Sequence, residues 1–121
     1  MKPAVLTQRA DFLAANRGLR IARPGFVLLA RANGGKGLRC GITVTKRIGN
    51  AVVRNRMKRR FRALLRDVLP AHGMADTDHV LIGRESGIER GFALLRDELI
   101  AALGRAKAGK GDAPRKGRGR A

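Results

Sequence analysis

Residues 38–70 read LRCGITVTKRIGNAVVRNRMKRRFRALLRDVLP, and within this stretch the spacing of apolar residues changes from that of a strand to that of a helix. Over residues 38–45 apolar side chains occupy every second position, which predicts a half-buried strand with Cys40 in the core. Asn50 can cap a helix over residues 51–69 that Pro70 closes. The apolar stripe of this helix consists of Val53, Met57, Phe61, Leu64 and Val68. The opposite side carries Arg54, Lys58, Arg59, Arg62 and Arg66.

The flanking segments complete a small α+β domain. A short helix follows Thr7, a strand spans residues 26–32, and HVLIG at residues 79–83 forms a buried strand. Ser86 has the spacing of a capping box for a last helix that ends at Gly104, with an apolar stripe of Ile88, Phe92, Leu95, Leu99 and Leu103. The predicted order is helix, strand, strand, helix, strand, helix. This order gives a two-layer sandwich, in which helices cover one face of a mixed sheet and the other face is partly open.

The charge of the chain indicates a polyanionic partner. Its 121 residues include 27 Lys and Arg against 9 Asp and Glu, a net charge of +18. No acidic residue lies between Asp11 and Asp67, the part that contains the strand and helix described above. Like charges on one small domain repel unless a polyanion neutralises them. This balance excludes an ordinary acidic enzyme and predicts nucleic-acid binding, while a hydrophobic content of 44% is enough to build a core.

The chain ends and the single cysteine bear on domain organisation and compartment. Residues 105–121 lack large apolar side chains, so we predict one domain over residues 1–104 and a disordered basic tail after it. Cys40 has no partner for an internal disulfide, which is typical of a reducing compartment. No stretch approaches the ~18 consecutive apolar residues of a membrane span, and the N-terminus lacks the apolar core of a signal peptide. We expect a cytoplasmic protein without a membrane partner.

Few residues are suited to catalysis. The one patch of metal-like composition is His72, Asp76, Asp78 and His79, in a predicted loop whose residue types are also typical of solvated loops. We therefore predict a binding protein with no catalytic residue and no metal or other cofactor bound by the protein alone. Aromatic residues make up 3% of the chain, which argues against a base-stacking platform. Composition does not decide between RNA and DNA.

The run KRIGNAVVRNRMKRRFR at residues 46–62 resembles the characteristic motif of the protein subunit of bacterial ribonuclease P. The resemblance extends to RADF, GFVLLA, LRCGITVTKRIG, HVLIGR and the final amphipathic helix, and covers about residues 7–103. It implies a left-handed crossover between parallel strands, as in a ribosomal-protein-like fold. It also implies that the chain binds a catalytic RNA, which with its Mg²⁺ ions removes the 5′ leader from precursor tRNA. The chain would then be the accessory subunit of an endoribonuclease, with RNA and not DNA as its partner.

The resemblance implies two sets of site residues. Those that contact the RNA subunit are Lys46, Arg47, Asn50, Arg54, Asn55, Arg56, Lys58, Arg59, Arg60 and Arg62. Those that line a groove for the single-stranded leader are Phe12, Leu29, Thr43 and Thr45. Leu29 and Asn16 stand where many relatives carry aromatic residues. This departure favours backbone-directed contacts by threonine hydroxyls and arginines over base stacking.

Two other classes of protein share parts of this pattern. A ribosomal protein or another structural RNA binder would have the same charge and fold class but no leader groove. A free-standing metal-dependent nuclease would cut RNA with Mg²⁺ and without an RNA subunit. Sequencing the RNA that the protein binds in cells distinguishes the first class. An assay of the protein alone with Mg²⁺ distinguishes the second, because only a free-standing nuclease would cut RNA under these conditions.

Overall fold

A computed structural model describes residues 3–112 of the chain. It contains five strands and three α-helices: β1 (Ala4–Val5), α1 (Arg9–Ala15), β2 (Leu19–Ala22), β3 (Phe26–Ala32), β4 (Arg39–Thr43), α2 (Ala51–His72), β5 (Thr77–Gly83) and α3 (Phe92–Lys107). The α+β class is confirmed, and the predicted order of helices and strands forms the frame of the molecule. The short strands β1 and β2 were not predicted. No helix among residues 3–112 is both long and apolar enough to cross a membrane.

The five strands form one mixed sheet in the order β1-β4-β5-β3-β2. Strands β4 and β5 are parallel neighbours, and Gly41 lies opposite Val80 in their register. Helix α2 connects these two strands, which is the βαβ arrangement that the resemblance implies. Strand β3 pairs antiparallel with β5 and with β2. Strand β5 therefore lies at the centre of the sheet, with β4 and β1 on one side of it and β3 and β2 on the other.

The two faces of the sheet carry different helices. Helices α2 and α3 cover one face over the main core, where the rings of Phe26 and Phe61 meet edge to face with centroids 6.5 Å apart. Helix α1 lies on the opposite face, where Ala15 packs with Val27 and Val80. Helices were predicted on one face only, and α1 differs because its own small apolar side needs a second apolar surface to cover it. The rest of the second face is left accessible, as predicted.

Helix α2 has the predicted phase but ends later than predicted. Met57, Phe61, Leu64 and Val68 are buried as predicted, and Leu65 and Leu69 extend the buried stripe. The helix continues through Pro70 to His72, and the amide of Gly73 donates a hydrogen bond to the carbonyl of Leu69 at 2.8 Å. Proline in the last turn removes only one backbone donor, and Leu69 beside it is anchored in the core. Packing of the stripe therefore outweighs the local preference to stop.

Helix α3 is shifted relative to its predicted bounds. Glu85–Gly87 forms a 3-10 turn, and the helix begins at Phe92 after Gly91, so Ser86 does not open a capping box. The backbones of Gly87 and Gly25 approach so closely that a Cβ at Gly87 would lie 2.4 Å from the Gly25 carbonyl oxygen. This contact holds the turn outside the helix. The helix then runs three residues past Gly104, to Lys107.

The predicted domain boundary at residue 104 is too early. Asp112 pairs with strand β2: its amide donates to the Arg20 carbonyl at 2.8 Å, and its carboxylate accepts from the Ala22 amide at 2.6 Å. Residues 105–112 therefore belong to the folded unit rather than to the tail. The rest of the predicted basic tail, residues 113–121, lies outside the described residues and stays a prediction.

Candidate nucleic-acid interface

The residues predicted to contact an RNA subunit form one continuous surface on α2 and the turn before it. We call this set the basic surface: Lys46, Arg47, Asn50, Arg54, Asn55, Arg56, Lys58, Arg59, Arg60 and Arg62. Most of its side chains are exposed, and Arg54, Lys58 and Arg60 are half-buried. Within residues 3–112 the cations that form ion pairs are Arg23, Arg39, Arg90 and Arg96, and none of these belongs to the basic surface. Its positive charge is therefore not neutralised within the described protein.

Three members of the basic surface also hold the local backbone. The side-chain oxygen of Asn50 accepts a hydrogen bond from the Val53 amide at 3.0 Å and so caps α2. The Nε of Arg54 donates to the carbonyl of Gly49 at 3.2 Å. Arg60 donates through Nη2 to the carbonyl of Arg90, and its Nε is buried without a hydrogen-bond partner among residues 3–112. These contacts fix the start of α2 and limit the directions in which the two guanidinium groups can point.

A groove runs between α1 and strand β4 on the second face of the sheet. It is lined by Thr7, Arg9, Phe12, Leu13, Ile42, Thr43, Val44 and Lys58. Phe12 lies directly on Gly41, where an added Cβ would come within 2.6 Å of the ring. Glycine at this position leaves the space that the ring occupies, because a Cβ would have to displace it. Two predicted groove residues, Phe12 and Thr43, are thus brought together, and Lys58 joins the groove to the basic surface.

The other two predicted groove residues lie elsewhere. Leu29 is 2% exposed and packs beneath α1 with Ala15 and Val80, so it offers no surface to a ligand. It was assigned to the groove by resemblance, and in this chain α1 covers that part of the sheet. Thr45 is exposed at the end of β4, just before the turn that opens the basic surface, and is not among the described residues that line the groove.

An ion-pair network fixes α1 beside the groove. Arg39 on β4 binds the carboxylate of Asp78 on β5 through two hydrogen bonds, of 2.7 and 2.9 Å, and approaches Asp11 on α1 at 3.4 Å. Burial of Asp78 opposes its ionisation, but hydrogen bonds from Arg39 and Asn33 outweigh this and hold the pKa of the carboxyl below its ordinary value. No sequence pattern indicates this network, because its members are far apart along the chain.

The patch of metal-like composition has a structural role at three of its four positions, and the first is Asp76, whose carboxylate accepts a hydrogen bond from the Gly37 amide at 2.9 Å. Asp78 and His79 lie in β5 rather than in a loop, because the strand begins at Thr77. His79 is fully buried: Nε2 accepts a hydrogen bond from the Met74 amide at 3.1 Å, and Nδ1 lies 3.0 Å from the carbonyl of Arg39. Burial lowers the pKa of this imidazole, and both contacts suit its neutral form. Among residues 3–112 no group of three or more His, Cys, Asp and Glu side chains is placed to hold a metal ion.

A smaller pocket lies on a different side of α2 from the groove. It is lined by Arg56, Arg59, Arg60, Ala63 and Phe92, and we call it the Phe92 pocket. Phe92 was predicted as part of the apolar stripe of the last helix, yet it is 39% exposed. The helix starts at this residue, so Phe92 lies in the first turn at the edge of the α2–α3 contact. The exposure of Phe92 depends on where α3 begins. The capping box predicted at Ser86 placed that start too early, so the sequence did not identify Phe92 as an exposed residue.

Comparisons with known proteins agree with one another. A family model described as Ribonuclease P matches residues 1–107. The ribonuclease P protein component of Erythrobacter litoralis is 71% identical over 117 residues, covering 97% of each chain. That of Paramagnetospirillum magneticum is 44% identical over 106 residues, covering 83% of this chain and 80% of the relative.

Solved structures resemble the fold over most of its length. The RNase P protein of Staphylococcus aureus matches with a TM-score of 0.71 and 30% identity, covering 88% of this chain and 97% of that one. The RNase P protein of Thermotoga maritima matches with a TM-score of 0.72 and 31% identity, covering 83% of this chain and 94% of that one.

Proposed function

We propose a separate RNA-binding role for the basic surface and for the groove, on the premise that this chain belongs to the ribonuclease P protein family. The chain is accordingly the accessory protein of an endoribonuclease whose other component is RNA, and it serves the 5′ maturation of tRNA. The proposal concerns which residues perform this task, what the groove holds, and how protein and RNA divide the work.

The basic surface binds the RNA subunit. The observation that supports this best is the density of its positive charge: eight Lys and Arg lie within residues 46–62, none of them forms an ion pair within residues 3–112, and no acidic residue lies between Asp11 and Asp67. Arginines on a rigid helix present planar forks of donors that fit phosphate oxygens. Because α2 is anchored by its buried stripe, these forks keep fixed spacings along the helix axis. Such a surface binds an RNA backbone at several phosphates at once.

The groove binds the single-stranded 5′ leader of precursor tRNA. Its lining combines one aromatic ring, Phe12, with the hydroxyl of Thr43 and the cations Arg9 and Lys58. A hydroxyl can donate to a phosphate or accept from a sugar hydroxyl, and neither contact depends on base identity. Leaders differ in sequence from one tRNA to the next, so a groove with these groups suits the task.

The RNA subunit and its Mg²⁺ ions carry out the hydrolysis, and the protein contributes positive charge. Two RNA molecules repel each other through their phosphates, and cations placed between them reduce this repulsion. Lys58 lies on α2 and also lines the groove, so the two proposed RNA sites meet at this residue. The protein therefore acts where the RNA subunit and the precursor approach each other.

The salt dependence of RNA binding tests the basic surface. The exposed pair Arg47→Gln and Arg62→Gln is combined in one variant, and Arg96→Gln serves as the control because Arg96 already binds Asp67 at 2.6 Å. We expect the log–log slope of affinity for the RNA subunit against salt to fall by up to ~0.9 for each lost phosphate contact. The control should keep the slope of the unmodified protein. A double variant with an unchanged slope would contradict the assignment.

Leader dependence tests the groove. In the reconstituted holoenzyme, Thr43→Val removes the hydroxyl at nearly constant volume, and Thr45→Val makes the same change outside the groove lining. We expect Thr43→Val to weaken binding of precursor tRNA that carries a leader while leaving binding of mature tRNA unchanged. Thr45→Val should affect neither. Equal losses with and without a leader would show that Thr43 acts elsewhere.

A further inference from the structure

The Phe92 pocket has features of a binding site rather than of a leftover surface. Phe26 and Phe61 are completely buried, whereas Phe92 keeps 39% of its surface exposed. The pocket it lines with Arg56, Arg59, Arg60 and Ala63 contains no carboxylate. An exposed aromatic ring costs hydration free energy, and a ring bordered by guanidinium groups offers both a flat apolar face and positive charge.

Local structure fixes the positions of the pocket's walls. Arg60 is held against the segment before α3 by its hydrogen bond to the Arg90 carbonyl. Ala63 is small, so it leaves space around the ring next to Arg56, Arg59 and Arg60, which precede it on α2. Helix α3 begins at Phe92 with Gly91 as its N-cap, and no side chain caps the first turn. The uncapped amides add a partial positive charge next to the ring.

We propose that the Phe92 pocket binds one unpaired nucleotide of the RNA subunit, with its base stacked on Phe92 and its adjoining phosphates bound by Arg56 and Arg59. This inference rests on the proposed RNA-binding role of the basic surface, of which these arginines are part. Stacking on an aromatic ring tolerates any base, because every base has a flat π-face. The pocket therefore recognises a base that lies outside a helix in the RNA, not a particular sequence.

The charge of the chain favours RNA over a protein partner at this pocket. A second copy of the chain would bring another net charge of +18 to a pocket that already holds three arginines. Repulsion between like charges opposes that association. A nucleotide instead supplies the two groups that the pocket lacks, a flat π-system and an anion.

The first test removes the aromatic ring and keeps its apolar bulk. We expect Phe92→Leu to weaken binding of the in vitro transcribed RNA subunit by roughly 5-fold to 100-fold, the range of one lost base stack. The log–log salt slope should not change, because no charge is removed. Leu94→Ala is the control: Leu94 is 47% exposed in the same first turn but is not among the described residues that line the pocket. The melting temperature of each variant confirms that the fold is retained.

The second test uses the absence of tryptophan and tyrosine from this chain. Phe92→Trp places a single fluorescent indole at the pocket, and Leu94→Trp places one beside it. We expect the RNA subunit to quench the emission of the Phe92→Trp protein strongly, because a stacked base contacts the indole. Emission from Leu94→Trp should change little.

The outcomes separate this inference from the function on which it rests. If Arg47→Gln with Arg62→Gln lowers the salt slope, but Phe92→Leu binds like the unmodified protein and Phe92→Trp is not quenched, the pocket holds no nucleotide and only this inference fails. If the double arginine variant also binds normally, the proposed role of the basic surface fails. A free protein that sediments as a dimer, and as a monomer after Phe92→Leu with unchanged RNA affinity, would overturn the inference in favour of a protein contact.

Discussion

The basic surface and the contact between α2 and α3 use the same residue types in opposite ways. Near α3, Arg90 binds Glu98 at 2.7 Å and Arg96 binds Asp67 at 2.6 Å, so each guanidinium has a carboxylate of its own. Along the basic surface, no cation has such a partner within residues 3–112. The ion pairs at α3 hold parts of the fold together, and the basic surface forms none within the described residues. Exposure alone does not distinguish the two groups, because the side chain of Arg96 is 40% exposed and is nevertheless paired.

The same difference has a thermodynamic side. Unpaired like charges on one helix repel one another in the free protein and weaken it. Bound RNA removes this repulsion, and a ligand that binds only the folded state raises its stability by mass action. We therefore expect the protein to unfold at a higher temperature when RNA is bound than when it is free.

The largest expected effect separates the buried side of α2 from its basic side. Phe61→Ala removes a completely buried ring and should lower the free energy of unfolding by ~3–5 kcal/mol. Arg62→Ala, one residue later on the exposed side, should leave the melting temperature unchanged or raise it slightly, and should weaken RNA binding. Denaturant unfolding and filter binding measure the two effects. Exchanged behaviour of the two variants would mean that the phase of α2 is wrong.

The next effect compares a buried charge pair with an exposed one. Arg39→Met leaves the carboxylate of Asp78, 2% exposed, without its guanidinium partner. We expect a loss of about 2–3 kcal/mol of stability, somewhat below a fully buried pair because Arg39 keeps contact with solvent. Arg96→Met breaks a pair that is 40% and 47% exposed and should cost ~1 kcal/mol at most. Equal costs in urea unfolding would contradict a special role for the Arg39 network.

Asn50 belongs to the basic surface and also stabilises the fold, because it caps α2. Asn50 caps α2, so Asn50→Ala should lower the free energy of unfolding by about 1 kcal/mol. Asn50→Asp keeps the cap, and its negative charge suits a helix N-terminus, so the stability should be preserved. If Asn50 also faces the RNA, as the resemblance implies, the aspartate variant should bind the RNA subunit more weakly. Unimpaired binding by the aspartate variant would limit Asn50 to capping.

The smallest effect concerns His79, which follows the paired residue Asp78 in β5, at mildly acidic pH. Burial lowers the pKa of His79 below its ordinary value of 6.5, so the unfolded chain takes up a proton there more readily than the folded one. Stability from this residue is fully present above pH 6.5 and is lost as the pH falls below it. Protonation of Nε2 would also break its hydrogen bond from Met74. Melting temperatures between pH 7 and pH 5 should fall less steeply for His79→Gln, and parallel curves would contradict this account.

The helices and the basic surface could be predicted because local periodicity determines them. The burial of Phe61 and the exposure of Arg62 follow from their positions around α2, whatever the helix packs against. Thr43 and Phe12 were assigned by resemblance, and the structure brings both to one groove. Their contact with a leader remains a prediction.

The parts that were missed depend on partners distant in sequence. Strand β1 has only two residues and exists because β4 offers it an edge. Leu29 matches a groove position by resemblance, but it is buried because α1 packs over it. The pairing of Arg39 with Asp78 requires β4 and β5 to lie side by side. No local pattern contains these facts, because each arises only when the sheet is assembled.

The position of β5 also bears on how the protein is made. Synthesis proceeds from the N-terminus, and the strand that joins β4 to β3 is the last of the five to be produced. Until Thr77–Gly83 is available, the β2–β3 hairpin and the β1–β4 pair have no strand between them. A nascent chain that has passed Arg62 but ends before Thr77 therefore contains the whole basic surface without a continuous sheet. Such a chain carries the positive charge of this surface before its fold is complete, and attraction to a polyanion through net charge does not require the completed sheet.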